Sequence, residues 1–181
     1  MEETMNRRST LTLLAFAILC SAVVLESSHA SAQQMERASF KSAPENTKYT
    51  QQHVIDVGDV PNHQVRIYEI HRTYPTNPPV INGEKLKEQW TRATSDYTDN
   101  SGSGVTYSVY ILENGDKFFV RTSLIAQSEG GGKLTATTVG TITGGTGKFA
   151  GMQGKTLGVA HADPKANINE NQTTIEFRIA K

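Results

Sequence analysis

Hydrophobic and polar residues alternate along much of the chain, which is the period-two pattern of β-strands that bury one face. The alternation is clearest in HQVRIYEIHRTY (63–74), VTYSVYILE (105–113) and KFFVRTSLIAQ (117–127). Asn114-Gly115, between the last two segments, is a preferred dipeptide of two-residue hairpin turns. About seven such segments, or eight with HVIDV (53–57), are separated by turn residues at regular spacing. The pattern therefore predicts a succession of short strands.

These segments predict an all-β protein with antiparallel strands, because short turns join them and helical patterning is nearly absent. The last segment, TTIEFRIAK (173–181), is also a strand pattern. A final strand that pairs with an early one removes both free edges of a sheet, which favours a closed barrel. We therefore expect a closed antiparallel barrel of seven to eight strands, eight if fully formed, over residues 53–181. Residues 33–52 are polar and are expected to form a disordered arm.

The first 32 residues are set apart from this pattern. Arg7 and Arg8 precede an apolar run (11–25), and Ala30-Ser31-Ala32 matches a small-residue cleavage site. This order is typical of a secretory signal peptide. We expect export to the periplasm or out of the cell, by the general secretory or the twin-arginine route. The apolar run is too short for a membrane anchor, so no span is expected after cleavage.

Removal of the predicted signal peptide leaves 149 residues with 16 basic and 15 acidic side chains. This length suits one domain with its own core. The single cysteine, Cys20, lies within the signal, so we expect no disulfide in the mature chain. The balanced charge offers no basic surplus for binding nucleic acid.

The segment GTITGGTGKFAGMQG (140–154) has the spacing of a dinucleotide-binding turn, since Gly145, Gly147 and Ala150 fit G-x-G-x-x-A. Such a turn must open a helix, however, and the glycines that follow make a helix costly. A P-loop is excluded because Phe149 stands where glycine is required. We interpret the segment as a sharp corner between two strands, closed by one large apolar side chain. The corner residues are Gly144, Gly145, Gly147, Phe149 and Gly151.

The stretch TITGGTGKFAGMQG (141–154) resembles the strand-turn-strand signature of the allene oxide cyclase and dirigent group of small β-barrels. The order of a hairpin, a Thr-rich strand, the glycine corner and a C-terminal strand is also similar over residues 65–181. The resemblance implies a lipocalin-like barrel around an apolar pocket, assembled as a homo-dimer or homo-trimer. Members of the group close unsaturated epoxides, orient phenolic radicals or close polyketide rings. The resemblance implies a fold and a pocket, and no particular reaction.

Motifs for metal binding and for hydrolysis are missing from the sequence. The mature chain has four scattered histidines: His53, His63, His71 and His161. The segment 96–104 has the composition of a calcium loop, but Tyr110 stands where such a loop needs glutamate. No Gly-x-Ser-x-Gly motif occurs. We expect no metal and no cofactor.

Strand parity selects four polar residues as candidates for acid–base chemistry: Glu69, His71, His161 and Arg121. Glu69 and His71 alternate in step with Val65 and Ile67, and His161 alternates in step with the apolar residues before it. If these faces turn inward, burial would shift the pKa values of such groups and let them act as acid or base. The alternative is that they lie at strand ends in water.

Aromatic side chains are the candidates for contact with a ligand: Tyr68, Tyr107, Tyr110 and Phe119. Packing in the core is the alternative role for each. The leading expectation is an exported barrel that binds an apolar small molecule in its lumen. One alternative is a cyclase or isomerase of the allene oxide cyclase type, acting on an unsaturated apolar substrate, which needs an inward acid or base. Another is a packed structural or oligomeric barrel without a cavity.

Overall fold

Ten β-strands make up most of residues 34–180, which are the residues that a computed structural model describes. The strands are β1 (Glu36–Ser42), β2 (Thr47–Asp56), β3 (His63–Thr73), β4 (Val80–Ile81), β5 (Glu84–Thr98), β6 (Ser101–Leu112), β7 (Lys117–Gly130), β8 (Lys133–Gly145), β9 (Met152–Asp163) and β10 (Ile168–Ile179). Two 3-10 helices of three residues each, Pro44–Asn46 and Gly147–Phe149, lie between strands. No α-helix occurs in this part of the chain.

The strands form one antiparallel sheet in the order β1-β10-β9-β8-β7-β6-β5-β3-β2, with β4 paired to β5 outside this path. The prediction of an all-β, antiparallel protein is confirmed. Strands β5 to β10 follow one another as hairpins, because each pairs with the next strand along the chain. In the turn between β6 and β7, Gly115 has a φ of 88°, which suits glycine.

The closed barrel of seven to eight strands is a wrong prediction, because the sheet has ten strands and its two end strands do not pair. The Pro44–Asn46 turn joins β1 to β2, but these two strands do not pair with each other. β1 pairs with β10 and β2 pairs with β3, so they are the two ends of the sheet. The sheet instead curls until β2 approaches β10. There the Tyr49 amide donates to Asn167 Oδ1 at 3.0 Å, and Asn169 Nδ2 donates to Tyr49 Oη at 3.0 Å. We call this approach of β2 to β10 the seam.

The prediction of a disordered arm over residues 33–52 is wrong where this segment forms β1 and the beginning of β2. β1 pairs with β10 from Glu36 opposite Phe177 onward. Phe40 is buried, and its ring packs edge-on against Tyr74 and Tyr110. The sheet therefore begins well before residue 53. The polar composition did not reveal this, because the order comes from a backbone ladder with a strand far away in sequence. The predicted signal peptide, residues 1–32, lies outside the described residues.

Two hydrophobic clusters lie toward opposite ends of the same strands. The larger cluster contains fully buried large side chains such as Leu86, Leu112, Phe118 and Phe177. The smaller cluster consists of Tyr97, Leu124, Ala126, Leu134, Ala136, Ala160 and Ala162. Alanine fills far less volume than leucine or phenylalanine, and protein interiors are otherwise closely packed. The end of the sheet with the smaller cluster is therefore less completely filled by side chains than the end with the larger cluster.

The glycine segment forms a corner between two antiparallel strands. β8 ends at Gly145 and β9 begins at Met152. Phe149 is fully buried, and its ring stacks on Phe118 with 5.7 Å between centroids. A Cβ on Gly145 would lie 2.5 Å from the Phe149 carbonyl oxygen, so this approach needs glycine. No α-helix follows the corner, and a phosphate-binding turn has no counterpart here.

Candidate ligand-binding site

The alternation of burial on β3 decides which of its side chains face the interior. The inward side carries Arg66, Tyr68, Ile70 and Arg72, all of which line a cavity. The outward side carries Val65, Ile67, Glu69 and His71; Ile67 is 56% exposed. The face that holds two of the acid–base candidates is therefore the outer face of the sheet.

Glu69 and His71 are engaged in surface contacts. A carboxylate oxygen of Glu69 lies 2.9 Å from the Arg92 guanidinium, and Glu69 also accepts a hydrogen bond from Thr50. The His71 ring stacks on Trp90 at a centroid distance of 3.9 Å, and its Nε2 lies 2.7 Å from Glu88. Neither residue lines the cavity.

The other two acid–base candidates also lie on the outside. His161 is exposed, with its Nδ1 2.9 Å from Thr135 Oγ1 and 3.7 Å from Glu129. Arg121 is exposed on the outer face of β7. Among the residues that the structure describes, the four candidates are therefore spread over the outer surface and are not brought together.

A cavity of about 100 Å³ lies within the curled sheet. Side chains from β2, β3 and each of the strands β5 to β10 line it. Its apolar wall includes Leu124, Leu134 and the small side chains of Ala136 and Ala160. Hydroxyl and amide side chains cover the remaining wall, and they include Thr91, Thr106, Ser108, Thr122, Asn169 and Thr173. The wall of the site thus combines polar and apolar side chains.

Two of the four aromatic candidates lie at this cavity. Tyr68 and Tyr110 line it, whereas Tyr107 is 57% exposed and Phe119 is half-buried on the outer face of β7. A ligand-binding role for Tyr68 and Tyr110 stays a prediction. Four further tyrosine and arginine side chains also line the cavity and were not selected from the sequence: Tyr49, Arg66, Arg72 and Tyr97.

A signal for two of these residues was present in the sequence. Arg66 and Arg72 alternate in step with Tyr68 and Ile70, so they share a face with a residue that was selected. Tyr49 lay in the segment interpreted as a disordered arm.

Arg72 carries the most buried charge of the cavity wall. The residue is only 5% exposed. Its Nη1 donates to Thr91 Oγ1 at 3.3 Å, and its Nη2 donates to Asn169 Oδ1 at 2.8 Å. Its Nε is buried and has no hydrogen-bond partner. No carboxylate among residues 34–180 forms a salt bridge with this guanidinium. A buried charge without a counter-charge is costly.

Neutral groups hold this guanidinium in place. Thr91 Oγ1 lies 2.9 Å from Ser108 Oγ and accepts a hydrogen bond from Gln89 Nε2 at 3.0 Å. Gln89 Oε1 in turn accepts from the Tyr74 hydroxyl at 3.1 Å, and that hydroxyl lies 2.9 Å from Ser42 Oγ. The network orients the positive charge but supplies no negative charge to neutralise it.

A second guanidinium, that of Arg66, also faces the cavity. Its Nη2 donates to Gln64 Oε1 at 3.0 Å and to Asn100 Oδ1 at 3.1 Å. Its carbon lies 5.5 Å from the centroid of the Tyr97 ring, a cation–π distance. Its Nε is also buried without a partner. The residues that line the cavity include no aspartate or glutamate, so the wall is positively charged.

Burial raises the pKa of four cavity tyrosines, and desolvation is the largest cause at each: Tyr49, Tyr68, Tyr97 and Tyr110. The positive charge of Arg72 opposes this effect at three of them. The phenols therefore remain protonated at neutral pH. Among residues 34–180, no histidine, lysine or carboxylate lines the cavity, so this part of the chain contributes no side chain that exchanges protons near pH 7.

Two residues that line the cavity near the seam are accessible to solvent. Gln52 on β2 is exposed, and Pro164, between β9 and β10, is partly buried. A bulge interrupts the pairing of β2 with β3 between Tyr49 and Gln51, and every residue from Gln51 to Asp56 is exposed. Beyond Tyr49, both faces of β2 are therefore accessible to solvent.

Comparison of the chain with protein-family models, with curated proteins and with solved structures finds no match. Within residues 34–180, no group of three or more side chains is arranged to hold a metal ion. The same residues contain no helix with the length and apolarity that a membrane span requires. The function is therefore inferred from the cavity and its wall.

Proposed function

We propose that this chain is an exported protein that binds a small molecule in the cavity of its curled β-sheet. The cavity of about 100 Å³ is the observation that carries the proposal. Side-chain packing normally leaves few voids larger than one water molecule. A space of this size is therefore a place where a small molecule can bind.

The dimensions and the wall describe the ligand. The cavity is smaller than the pockets of about 300–1,000 Å³ that hold drug-sized molecules. A small ring or a short chain matches it, and so does the buried end of a longer molecule that leaves through the seam. Leucine, alanine and tyrosine side chains suit an apolar body. Thr91, Asn169 and Arg72 suit a polar end group.

Binding is preferred to the two alternatives. A cyclase or isomerase needs an acid or base at its substrate, and the cavity wall presents only arginine and raised-pKa tyrosine as titratable groups. A packed barrel without a ligand does not account for a space walled by Ala136, Ala160 and Ala162.

The proposal retains three predictions from the sequence. We infer export from the signal peptide that the sequence predicts over residues 1–32. The glycine corner supports a relationship to the allene oxide cyclase and dirigent group. A homo-dimer or homo-trimer is supported by exposed apolar side chains on the outer face of β7, β8 and β9: Ile125, Val139, Leu157 and Val159.

Native mass spectrometry of the protein purified from its own host tests the proposal. We expect an excess mass that is lost on denaturation. Ala136→Leu enlarges a side chain of the cavity wall and should abolish the excess mass. The control is Thr137→Leu, which introduces leucine at the neighbouring outward position and should retain the excess mass. An empty wild-type protein that also binds none of the small probes described below would refute the proposed function.

A further inference from the structure

We infer that the ligand carries a carboxylate, and that the guanidinium of Arg72 binds this group inside the cavity. The inference rests on the proposed function, since it needs a ligand in the cavity, and it adds the chemical class of that ligand. Three features of the site support it: the missing counter-charge of Arg72, the fixed orientation of its guanidinium, and the neutral partners that already surround Arg66.

The missing counter-charge distinguishes Arg72 from cations on the outer surface. Arg92 and Lys155 each lie 2.9 Å from a glutamate carboxylate, although both are exposed to water, where a counter-charge matters least. Arg72 is buried, where a counter-charge matters most, and has none among the described residues. An anionic ligand supplies the partner that the chain does not.

The orientation of Arg72 is set before any ligand arrives. A guanidinium has five N–H donors, and the hydrogen bonds to Thr91 and Asn169 use two of them. The buried Nε–H has no hydrogen-bond partner. Both neutral partners are themselves hydrogen-bonded, Thr91 to Ser108 and Asn169 to Tyr49. Binding therefore requires little ordering of the side chain, which favours affinity.

The surroundings of the two cavity arginines favour a carboxylate over a phosphate or sulfate. The Arg66 guanidinium already contacts Gln64, Asn100 and the ring of Tyr97. A small anion bound to Arg72 therefore pairs with the single positive charge of that one buried guanidinium. The two oxygens of a singly charged carboxylate match the parallel donors of one guanidinium. The tyrosine hydroxyls of the wall provide further donors.

A set of matched probes tests the inference on the mature wild-type protein. Benzoate and hexanoate are compared with their neutral twins, benzamide and hexanamide, by isothermal titration calorimetry, and sodium sulfate and sodium phosphate are separate arms. The ¹⁵N resonance of the arginine Nε–H groups is recorded in parallel. We expect at least a tenfold preference for a carboxylate over its amide, weaker binding of sulfate and phosphate, and a shift of the Arg72 Nε–H resonance with carboxylate only.

Three variants assign the preference to a residue. Arg72→Met should reduce the preference to less than twofold and leave amide binding unchanged, and Arg72→Lys should retain only part of it. Arg121→Met removes the same charge from the outer face of β7 and should behave as wild type. Melting by circular dichroism checks each fold. If Arg72→Met does not fold, the wild-type preference, the Nε–H shift and Arg72→Lys still decide the question.

The outcomes separate the two proposals. If amides and carboxylates bind wild type equally, or if the preference survives in Arg72→Met, the carboxylate inference is overturned while binding in the cavity stands. Tighter binding of sulfate or phosphate than of either carboxylate overturns the assigned class as well. If none of the probes binds and the purified protein carries no retained mass, the proposed function itself falls.

Discussion

Replacement of Arg72 by methionine separates a role in ligand binding from a role in holding the fold together. Methionine keeps an unbranched side chain of similar reach, and it removes the charge and all five N–H donors. If Arg72 serves to bind a ligand, the protein without that ligand gains little stability from it. If Arg72 is a structural residue, its loss should be severe.

The expected change follows from opposing contributions. The variant loses two hydrogen bonds to a charged group, each worth about 1.5–3 kcal/mol, and leaves Asn169 Oδ1 without its donor. Thr91 keeps its contacts with Ser108 and Gln89. Against these losses, the variant no longer buries a guanidinium without a carboxylate, a penalty of several kcal/mol. Because these contributions are of similar size, we expect the free energy of unfolding to change by less than about 2 kcal/mol.

Urea unfolding of the mature protein, followed by circular dichroism, measures this change. A loss above about 4 kcal/mol, which is typical of removing a large core side chain, would refute the reasoning. A ligand check uses linkage. At a carboxylate concentration of about 100 times its dissociation constant, wild type should gain about 2.7 kcal/mol, and Arg72→Met should gain almost nothing at that concentration. An equal gain in both proteins would place the carboxylate elsewhere.

Three further predictions concern the core, the pH dependence and the outer face. Phe149→Ala should lower the free energy of unfolding by about 3–5 kcal/mol in urea titrations, because the ring is fully buried in the larger cluster; a loss below about 1 kcal/mol would contradict this. Hydrogen bonds to Asp59 (2.6 Å) and Asp96 (2.7 Å) raise the pKa of His63. The contribution of His63 to the free energy of unfolding is therefore full below about pH 6.5 and is lost as the pH rises through the raised pKa. An NMR titration of the ring checks the shift, and a pKa at or below the ordinary value would refute it. Val139→Lys should convert a homo-dimer or homo-trimer to monomers in light scattering with the fold retained, and a monomeric wild type would contradict the oligomer prediction.

The sequence by itself determined the local features of this protein. Period-two alternation marked the strands, and Asn114-Gly115 marked the hairpin between β6 and β7. The glycines near Phe149 indicated a corner and not a helix, because their backbone entropy opposes a helix wherever they occur. Each of these features depends on neighbouring residues, so each can be predicted from a short stretch of chain.

Only the tertiary structure decided which face of each strand is inside. Parity separates Glu69 and His71 from Arg66 and Arg72, but it does not say which pair is buried. The exposed Val65 and Ile67 made the wrong face look like the core, because the true inner face carries the polar groups of a cavity.

The tertiary structure also decided what becomes of the polar segment that begins the sheet. Ser39 and Phe40 are ordered because β1 pairs with β10, and the side-chain hydrogen bond between Ser39 and Thr174 joins residues 135 positions apart. The curvature of the sheet, the open seam and the burial of Arg72 likewise depend on all strands together. They arise from long-range pairing and packing, which a local pattern of residues does not contain.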